Sequence, residues 1–303
     1  KSLDDSIKIL GDVQGPKIRL GEVKGEQITL QAENSFMLHT QPVTGSNREA
    51  SVDYEGITND VKVGSRILMN DGEVELIVEK VSTDKIETKV KTGGNISSHK
   101  GVNLPGAIVS LPAITEKDKK DIQFLLEEDV DFIACSFVRK PSQIKEIRDF
   151  IQQYKETSPN VIAKIETMEA IENFQDICKE ADGIMIARGD LGVELPYQFI
   201  PLLQKMMIQE CNRTNTYVIT ATQMLQSMVD HSIPTRAEVT DVFQAVLDGT
   251  NAVMLSAESA SGEHPIESVK TLRLVSEFAE HVKKDGPFVM KDVLELLHKS
   301  LDE

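Results

Sequence analysis

Val161-Ile162-Ala163-Lys164-Ile165-Glu166, followed by Gly183-Ile184-Met185-Ile186-Ala187-Arg188-Gly189-Asp190, is the stretch on which the fold turns. Each half is an apolar run of strand length that ends in charge. Near-continuous apolar character, rather than strict alternation, marks strands covered on both faces. Lys164 and Glu166 are two apart, so on a strand they point to the same side. Asp190 closes the next run. One cation and two carboxylates then converge on one mouth. Hard oxygen ligands suit Mg2+, and a fixed cation suits a transferring phosphoryl group.

The same pattern recurs outward from this stretch. Strand-length apolar runs occupy 7–13, 130–137, 160–166, 183–187, 217–223 and 252–256. Helical patterns lie between them at 116–128, 142–155, 167–180, 201–215, 235–248 and 265–284, with Pro201, Pro234 and Pro265 near helix starts. Strand–helix alternation implies a parallel sheet, either open or closed. Asp12, Ser136, Lys164 with Glu166, Asp190, Thr222 with Gln223, and Glu258 each fall at the carboxyl end of a different run. An open sheet gathers its site at one switch point. A barrel gathers it from many strand ends at one face. The expected fold class is therefore α/β, a (β/α)8 TIM-type barrel with six βα units visible. Two further units, roughly 60 residues at about 31 per unit, are expected upstream. The chain opens at Lys1, without methionine, in a polar helix-like segment, which points to a missing N-terminal part.

Between the first run and the second the style changes. Short alternating segments, Gln27-Ile28-Thr29-Leu30, Arg66-Ile67-Leu68-Met69, Glu75-Leu76-Ile77-Val78 and Lys85-Ile86-Glu87-Thr88, are broken by turn signals at Asn70-Asp71-Gly72 and Gly93-Gly94-Asn95. This reads as a small all-β domain set into the barrel as a lid, able to close on a substrate and exclude water. The expected organisation is a first barrel strand region at 1–19, the inserted β domain at 20–102, the remaining barrel at 103–285 and a helical tail at 286–303. In the tail, Leu294, Leu296, Leu297 and Leu301 form an amphipathic stripe fit for docking on itself or a partner.

Composition narrows the partners. The chain has 303 residues, 40% hydrophobic and 27% charged, with net charge −16. Nucleic acid and anionic membranes are excluded as expected partners, because phosphate-backbone binding relies on basic patches. An anionic small molecule would need a local positive site, which Lys164 and Arg188 can supply. No apolar run reaches the length of a membrane span. Cys135, Cys178 and Cys211 lack metal-ligand spacing and read as reduced packing residues of a cytoplasmic protein.

Strung along the chain are Asp12-Val13-Gln14-Gly15-Pro16-Lys17-Ile18-Arg19, Asn70-Asp71-Gly72, Lys100-Gly101-Val102-Asn103-Leu104-Pro105-Gly106, Leu111-Pro112-Ala113-Ile114-Thr115-Glu116-Lys117-Asp118, Ser136-Phe137-Val138-Arg139, Lys164-Ile165-Glu166, Ala187-Arg188-Gly189-Asp190-Leu191-Gly192-Val193-Glu194, Thr220-Ala221-Thr222-Gln223-Met224-Leu225, Pro234-Thr235-Arg236-Ala237-Glu238 and Met254-Leu255-Ser256-Ala257-Glu258. In this order and spacing the chain resembles the pyruvate kinase family along almost its whole length. The resemblance implies transfer of a phosphoryl group between phosphoenolpyruvate and ADP, giving pyruvate and ATP, with Mg2+ or Mn2+. It implies Glu166 and Asp190 as metal ligands and Lys164 as the cation beside the transferring group. It implies that Gly189 and Asp190 offer backbone N–H groups to the substrate carboxylate, with Ser136 nearby. Thr222 takes part in delivering a proton to the enol carbon, through a relay. Arg19 and Lys100 reach the nucleotide phosphates, Asp71 swings in on the lid turn, and Asp12 belongs to a monovalent-cation region. A homo-oligomer is also possible.

The departures from the family carry their own expectations. K+-dependent members have Asp-Thr-Lys-Gly-Pro-Glu where this chain has Asp12-Val13-Gln14-Gly15-Pro16-Lys17. A lysine ammonium can stand where K+ would sit, so chemistry independent of K+ is expected. Ala257 and Ser259 replace a glycine and a threonine usual after Leu-Ser. The family's Arg-x-Asn-x-Ser motif and its C-terminal regulatory domain have no counterpart in this sequence, so allosteric control by sugar phosphates is not expected. The alternatives are a specialised paralogue acting on another hydroxy acid and a catalytically inactive binding or regulatory protein.

Overall fold

Isoleucine, valine and alanine crowd the runs that carry the charged ends, and these runs form the parallel strands. A computed structural model describes residues 4, 6–155 and 158–302. The chain forms two compact units, Lys1–Leu203 and Gln204–Glu303. The helix-like segment expected at Lys1 lies largely outside the described residues.

The first unit runs β1 (Leu10–Val13), β2 (Ile28–Leu30), β3 (Ser35–His39), β4 (Glu49–Ser51), α1 (Ile57–Asp60), β5 (Arg66–Met69), β6 (Val74–Val81), β7 (Lys85–Thr92), β8 (Gly94–Ile96), β9 (Val102–Asn103), α2 (Glu116–Glu127), β10 (Phe132–Cys135), α3 (Pro141–Gln152), β11 (Asn160–Ile165), α4 (Met168–Glu172), α5 (Phe174–Glu180), β12 (Gly183–Ala187) and α6 (Arg188–Glu194). β1, β10, β11 and β12 lie side by side and parallel. Leu10 is opposite Phe132, Phe132 opposite Asn160, and Ile162 opposite Gly183. Parallel pairing in this register brings the carboxyl ends to one edge, which is what collects the site. Ile133, Val161, Ile162, Ile184 and Ile186 are fully buried, as strands covered on both faces require.

Local chemistry sets the helix starts. Thr115 accepts from the Asp118 N–H, and Asp118 accepts from the Thr115 N–H, a reciprocal cap that opens α2. Pro141 sits in the first turn of α3. The single helix expected at 167–180 is instead two, α4 and α5. At the break Asn173 turns its side-chain amide to the carbonyls of Arg139 and Glu169, at 3.1 and 2.9 Å. A short amide that bonds the backbone competes with helix continuation.

The insertion is a β domain, as expected, but richer than its short alternating segments. One sheet has the order β4-β3-β7-β6-β5-β9, and β2 pairs with β8 in a second. The turn expected at Gly93-Gly94-Asn95 is corrected here: Gly94 and Asn95 belong to β8 and pair with Leu30 and Thr29. Gly93 serves close backbone approach, since a Cβ there would lie 2.5 Å from the Leu30 carbonyl oxygen. Phe36, Leu38, Ile57, Ile67, Leu76 and Ile86 fill the core of this domain.

α7 (Ile200–Thr214) carries the chain into the second unit, which holds β13 (Tyr217–Ala221), α8 (Arg236–Asp248), β14 (Ala252–Val253), α9 (Ala257–Ala260), α10 (Pro265–Asp285) and α11 (Met290–Asp302). β13 and β14 are parallel, with Ile219 opposite Ala252. Thr235 and Glu238 cap α8 reciprocally, and Met224, Leu225, Met228, Val242 and Ala245 pack into one cluster. Buried Glu258 accepts the N–H groups of Leu225 and Ser256, at 3.1 and 2.8 Å. Along α11, Leu294 and Leu297 are exposed. The side chain of Leu301 lies outside the described residues. The fold class is thus α/β of the (β/α)8 barrel type with an added β domain.

Candidate active site

Lys164, near the end of β11, is the hub. Its ammonium lies 3.0 Å from Asp12 Oδ2, 2.9 Å from Ser136 Oγ and 3.5 Å from Glu166 Oε1. Ser136 in turn donates to the Val13 carbonyl at 2.8 Å, which fixes its hydroxyl between β1 and β10. Burial alone would lower the Lys164 ammonium, but the Glu166 and Asp12 carboxylates outweigh it and hold the lysine above its usual range. The cation is therefore fixed and permanently charged.

Glu166 is buried and receives the Phe137 N–H on Oε2. Burial pushes its carboxyl up to about 7, with Lys164 pulling it down and the neighbouring Asp190 pushing it further up. Phe137 presents that N–H from a left-handed conformation, φ +58°, just past β10. Asp190 stands in the first turn of α6, and its Oδ1 takes the Lys17 ammonium at 3.0 Å. Lys17 also sits 5.5 Å from the centre of the Phe137 ring. Asp12, Lys17, Ser136, Lys164, Glu166 and Asp190 line one cavity of about 300 Å3. Gly189 precedes Asp190 in the same helical turn.

The other expected residues lie elsewhere. Arg19 and Lys100 sit on the two chain segments that root the β domain, where Arg19 pairs with Gly101. Arg19 donates to the His99 carbonyl at 3.0 Å. Asp71 is exposed at the turn between β5 and β6, where Asn70 and Asp71 have φ of 51° and 54° and Gly72 of 90°. Thr222 follows β13 in the second unit at φ +70°, its hydroxyl 2.6 Å from the Ala221 carbonyl.

Three contributors escaped the sequence reading. Phe137 acts through its backbone. Asp118 accepts the Gly15 N–H at 3.0 Å and so holds the turn before Lys17. Asn103 donates to Glu194 Oε1 at 3.1 Å, at the far end of α6. Asn103 and Glu194 stand inside recognisable strings, yet only the fold brings the two together.

A metal ion fits this donor set. Glu166 is a buried carboxylate whose pKa is raised first by burial, with Lys164 opposing the rise and the carboxylate of Asp190 beside it adding to it, so a further positive charge would be favoured there. Among the described residues, no group of three or more His, Cys, Asp or Glu side chains could hold a metal. Two protein carboxylates suit Mg2+, which keeps its other positions for water and substrate oxygens.

Parallel strand ends that gather a half-buried lysine and two carboxylates define an α/β-barrel protein with an acid-and-cation centre. The family model described as pyruvate kinase, barrel domain, matches residues 1–269. The pyruvate kinase of Staphylococcus aureus strain MRSA252 is 46% identical over 303 residues, 99% of this chain and 52% of that protein. The strain USA300 protein gives the same identity and coverage. A solved pyruvate kinase structure from Cryptosporidium parvum superposes with a TM-score of 0.86 at 40% identity, covering 97% of this chain and 60% of that one. The chain belongs to the pyruvate kinase family. It spans about half the length of the curated relatives it matches.

Proposed function

We propose that this chain carries the centre of a Mg2+-dependent phosphotransferase that moves a phosphoryl group between phosphoenolpyruvate and ADP, giving pyruvate and ATP, without a need for K+. The observation that carries the reading is the Lys164 ammonium, held by Asp12, Ser136 and Glu166 beside Asp190. Glu166 and Asp190 would hold the metal. Mg2+ or Mn2+, when bound, supplies charge stabilisation on the enolpyruvate and phosphoryl oxygens.

The chain's own residues do the rest. Lys164 lowers the energy of the transferring group, as a cation already fixed in place does at little reorganisation cost. Gly189 and Asp190 offer the first N–H groups of α6 to the substrate carboxylate, with Ser136 at its side. Thr222 passes a proton to the enol carbon through a relay, since a hydroxyl is too weak an acid to act alone. Arg19, Lys100 and Asp71 bind the nucleotide from the β-domain side. Lys17, paired with Asp190 near Asp12, supplies the monovalent charge that K+ gives in other members. The buried free cysteines suit a cytoplasmic setting, and no helix among the described residues is long and apolar enough to cross a membrane.

The test is the initial rate of pyruvate formation from phosphoenolpyruvate and ADP with Mg2+, in Na+ and then in K+. Equal rates support the reading. A several-fold rise in K+ would sink the role given to Lys17, and no pyruvate in either salt would sink the phosphotransferase itself.

A further inference from the structure

α6, Arg188–Glu194, has seven residues. An isolated helix that short has no stability of its own, so its position is set by what touches it. Three points of contact come from the β domain and its root. Lys17 reaches Asp190 at 3.0 Å. The turn at Gly72 lies against Val193, since a Cβ on Gly72 would stand 3.5 Å from Val193 Cγ1. Asn103 donates to Glu194 at 3.1 Å. Lys17 and Asn103 belong to the two segments that enter and leave the β domain. Those segments are tied together by Val102 N–H to the Ile18 carbonyl and Leu20 N–H to the Lys100 carbonyl, both at 2.9 Å. A movement of the β domain therefore moves both segments, and they hold the helix that carries Asp190.

Beside this junction lies a solvent-open pocket of about 80 Å3, bordered by Asn103, Leu104, Phe137, Arg139, Glu169 and Glu194. Arg139 Nη1 and Glu169 Oε2 are both buried there without a hydrogen-bond partner. Unpaired buried groups are costly and call for an explanation. A second arrangement of the junction, in which they are paired, is one.

We infer that Asn103 and Glu194 are a positioning pair through which the β domain sets the place of Asp190, and so the affinity of the metal site. The inference rests on the metal role proposed for Asp190, and it concerns coupling rather than the reaction.

The test is Mn2+ affinity without substrate, read by electron paramagnetic resonance of free Mn2+ on the full chain, with melting temperature followed alongside. Asn103→Asp keeps the shape and sets a carboxylate against Glu194. It is expected to weaken Mn2+ binding about tenfold, within the usual range of coupling between sites. The double variant Asn103→Asp with Glu194→Gln rebuilds the hydrogen bond with donor and acceptor exchanged, and is expected to return affinity to within about twofold of wild type. The affinity loss is expected at a melting temperature within a few degrees of wild type; a loss that appears only where the melting temperature falls with it marks a purely structural role and overturns the inference. Asn103→Ala, which cuts the bond without adding charge, is a second variant, expected about fivefold weaker. Wild-type affinity in Asn103→Asp or Asn103→Ala overturns the inference, and so does failure of the rescue. A wild-type chain that binds no Mn2+ overturns it together with the metal role of Asp190. The predicted pattern in a chain that makes no pyruvate supports the coupling and overturns only the phosphotransferase reading.

Discussion

The functional weight at the level of single residues falls on Lys164. Its three partners fix both its charge and its direction, so removing it removes stabilisation that substrate binding alone does not supply. Lys164→Met should lower kcat by about 10^2- to 10^3-fold, the range seen when one preorganised charge-stabilising group is lost. The KM for phosphoenolpyruvate should change far less, and steady-state kinetics on both parameters decides the point. An equal loss in substrate affinity would mean that Lys164 only binds. Cys135 gives an independent check on the interior of the first unit. Burial pushes its thiol up to about 12, and the thiolate is the reactive form. Iodoacetamide at pH 8 should leave Cys135 unmodified in the folded protein and label it after denaturation, as followed by peptide mass. Labelling of the native chain would contradict its placement. The convergence of Lys164 and Glu166 was legible in the sequence because spacing on a strand decides which way a side chain points, and Asp190 because it follows directly on the end of the next apolar run, although it stands in the first turn of α6. Phe137 was not, because a backbone N–H carries no signal in residue type; Thr115 with Asp118 spells a cap, but nothing in the string shows Asp118 also holding Gly15.

The elements show where local chemistry governs and where it yields. Strand ends and helix starts followed apolar runs, prolines and caps closely. The break at Asn173 and the strand β3 did not, since both depend on partners distant in the chain, Arg139 for the one and β7 for the other. β3 pairs with β7, some fifty residues on. Asp118 joins the two regimes, for it caps α2 and also holds Gly15. Asp118→Ala should cost about 1–3 kcal/mol in urea unfolding, through a lost cap and an unsatisfied buried N–H. A loss below a few tenths would refute the double role. In the β domain, burial alone would raise the Glu75 carboxyl, but Arg66 and Lys91 outweigh it and hold it below the ordinary 4.5. The folded acid binds its proton less tightly than the unfolded one. Its stabilisation is therefore present above about pH 4.5 and is lost as pH falls through the folded value. Glu75→Gln should lower the urea midpoint at neutral pH, and the gap to wild type should close in acid. A gap that stays constant with pH would contradict the ion pairs.

For the whole molecule, the sequence motifs alone pointed to the family, and the fold class and the comparisons agree with them. What no motif could supply is the linkage of β domain to α6, because Asn103 and Glu194 are ninety-one positions apart. With a net charge of −16, an anionic substrate would have to be drawn by a local field, and Lys17, Lys117 and Lys164 line the mouth beside the carboxylates. High salt should therefore raise the KM for phosphoenolpyruvate, because screening weakens attraction at a partly open site. An unchanged KM across a salt series would argue against steering by these lysines. The most direct measurement is 31P NMR of phosphoenolpyruvate and ADP with the full chain, Mg2+ and Na+ as the only monovalent cation. The account predicts that the phosphoenolpyruvate resonance is replaced by those of ATP, and that Lys164→Met slows the conversion by orders of magnitude. A phosphoenolpyruvate signal that persists, or a loss of signal into free phosphate with no ATP, would contradict it.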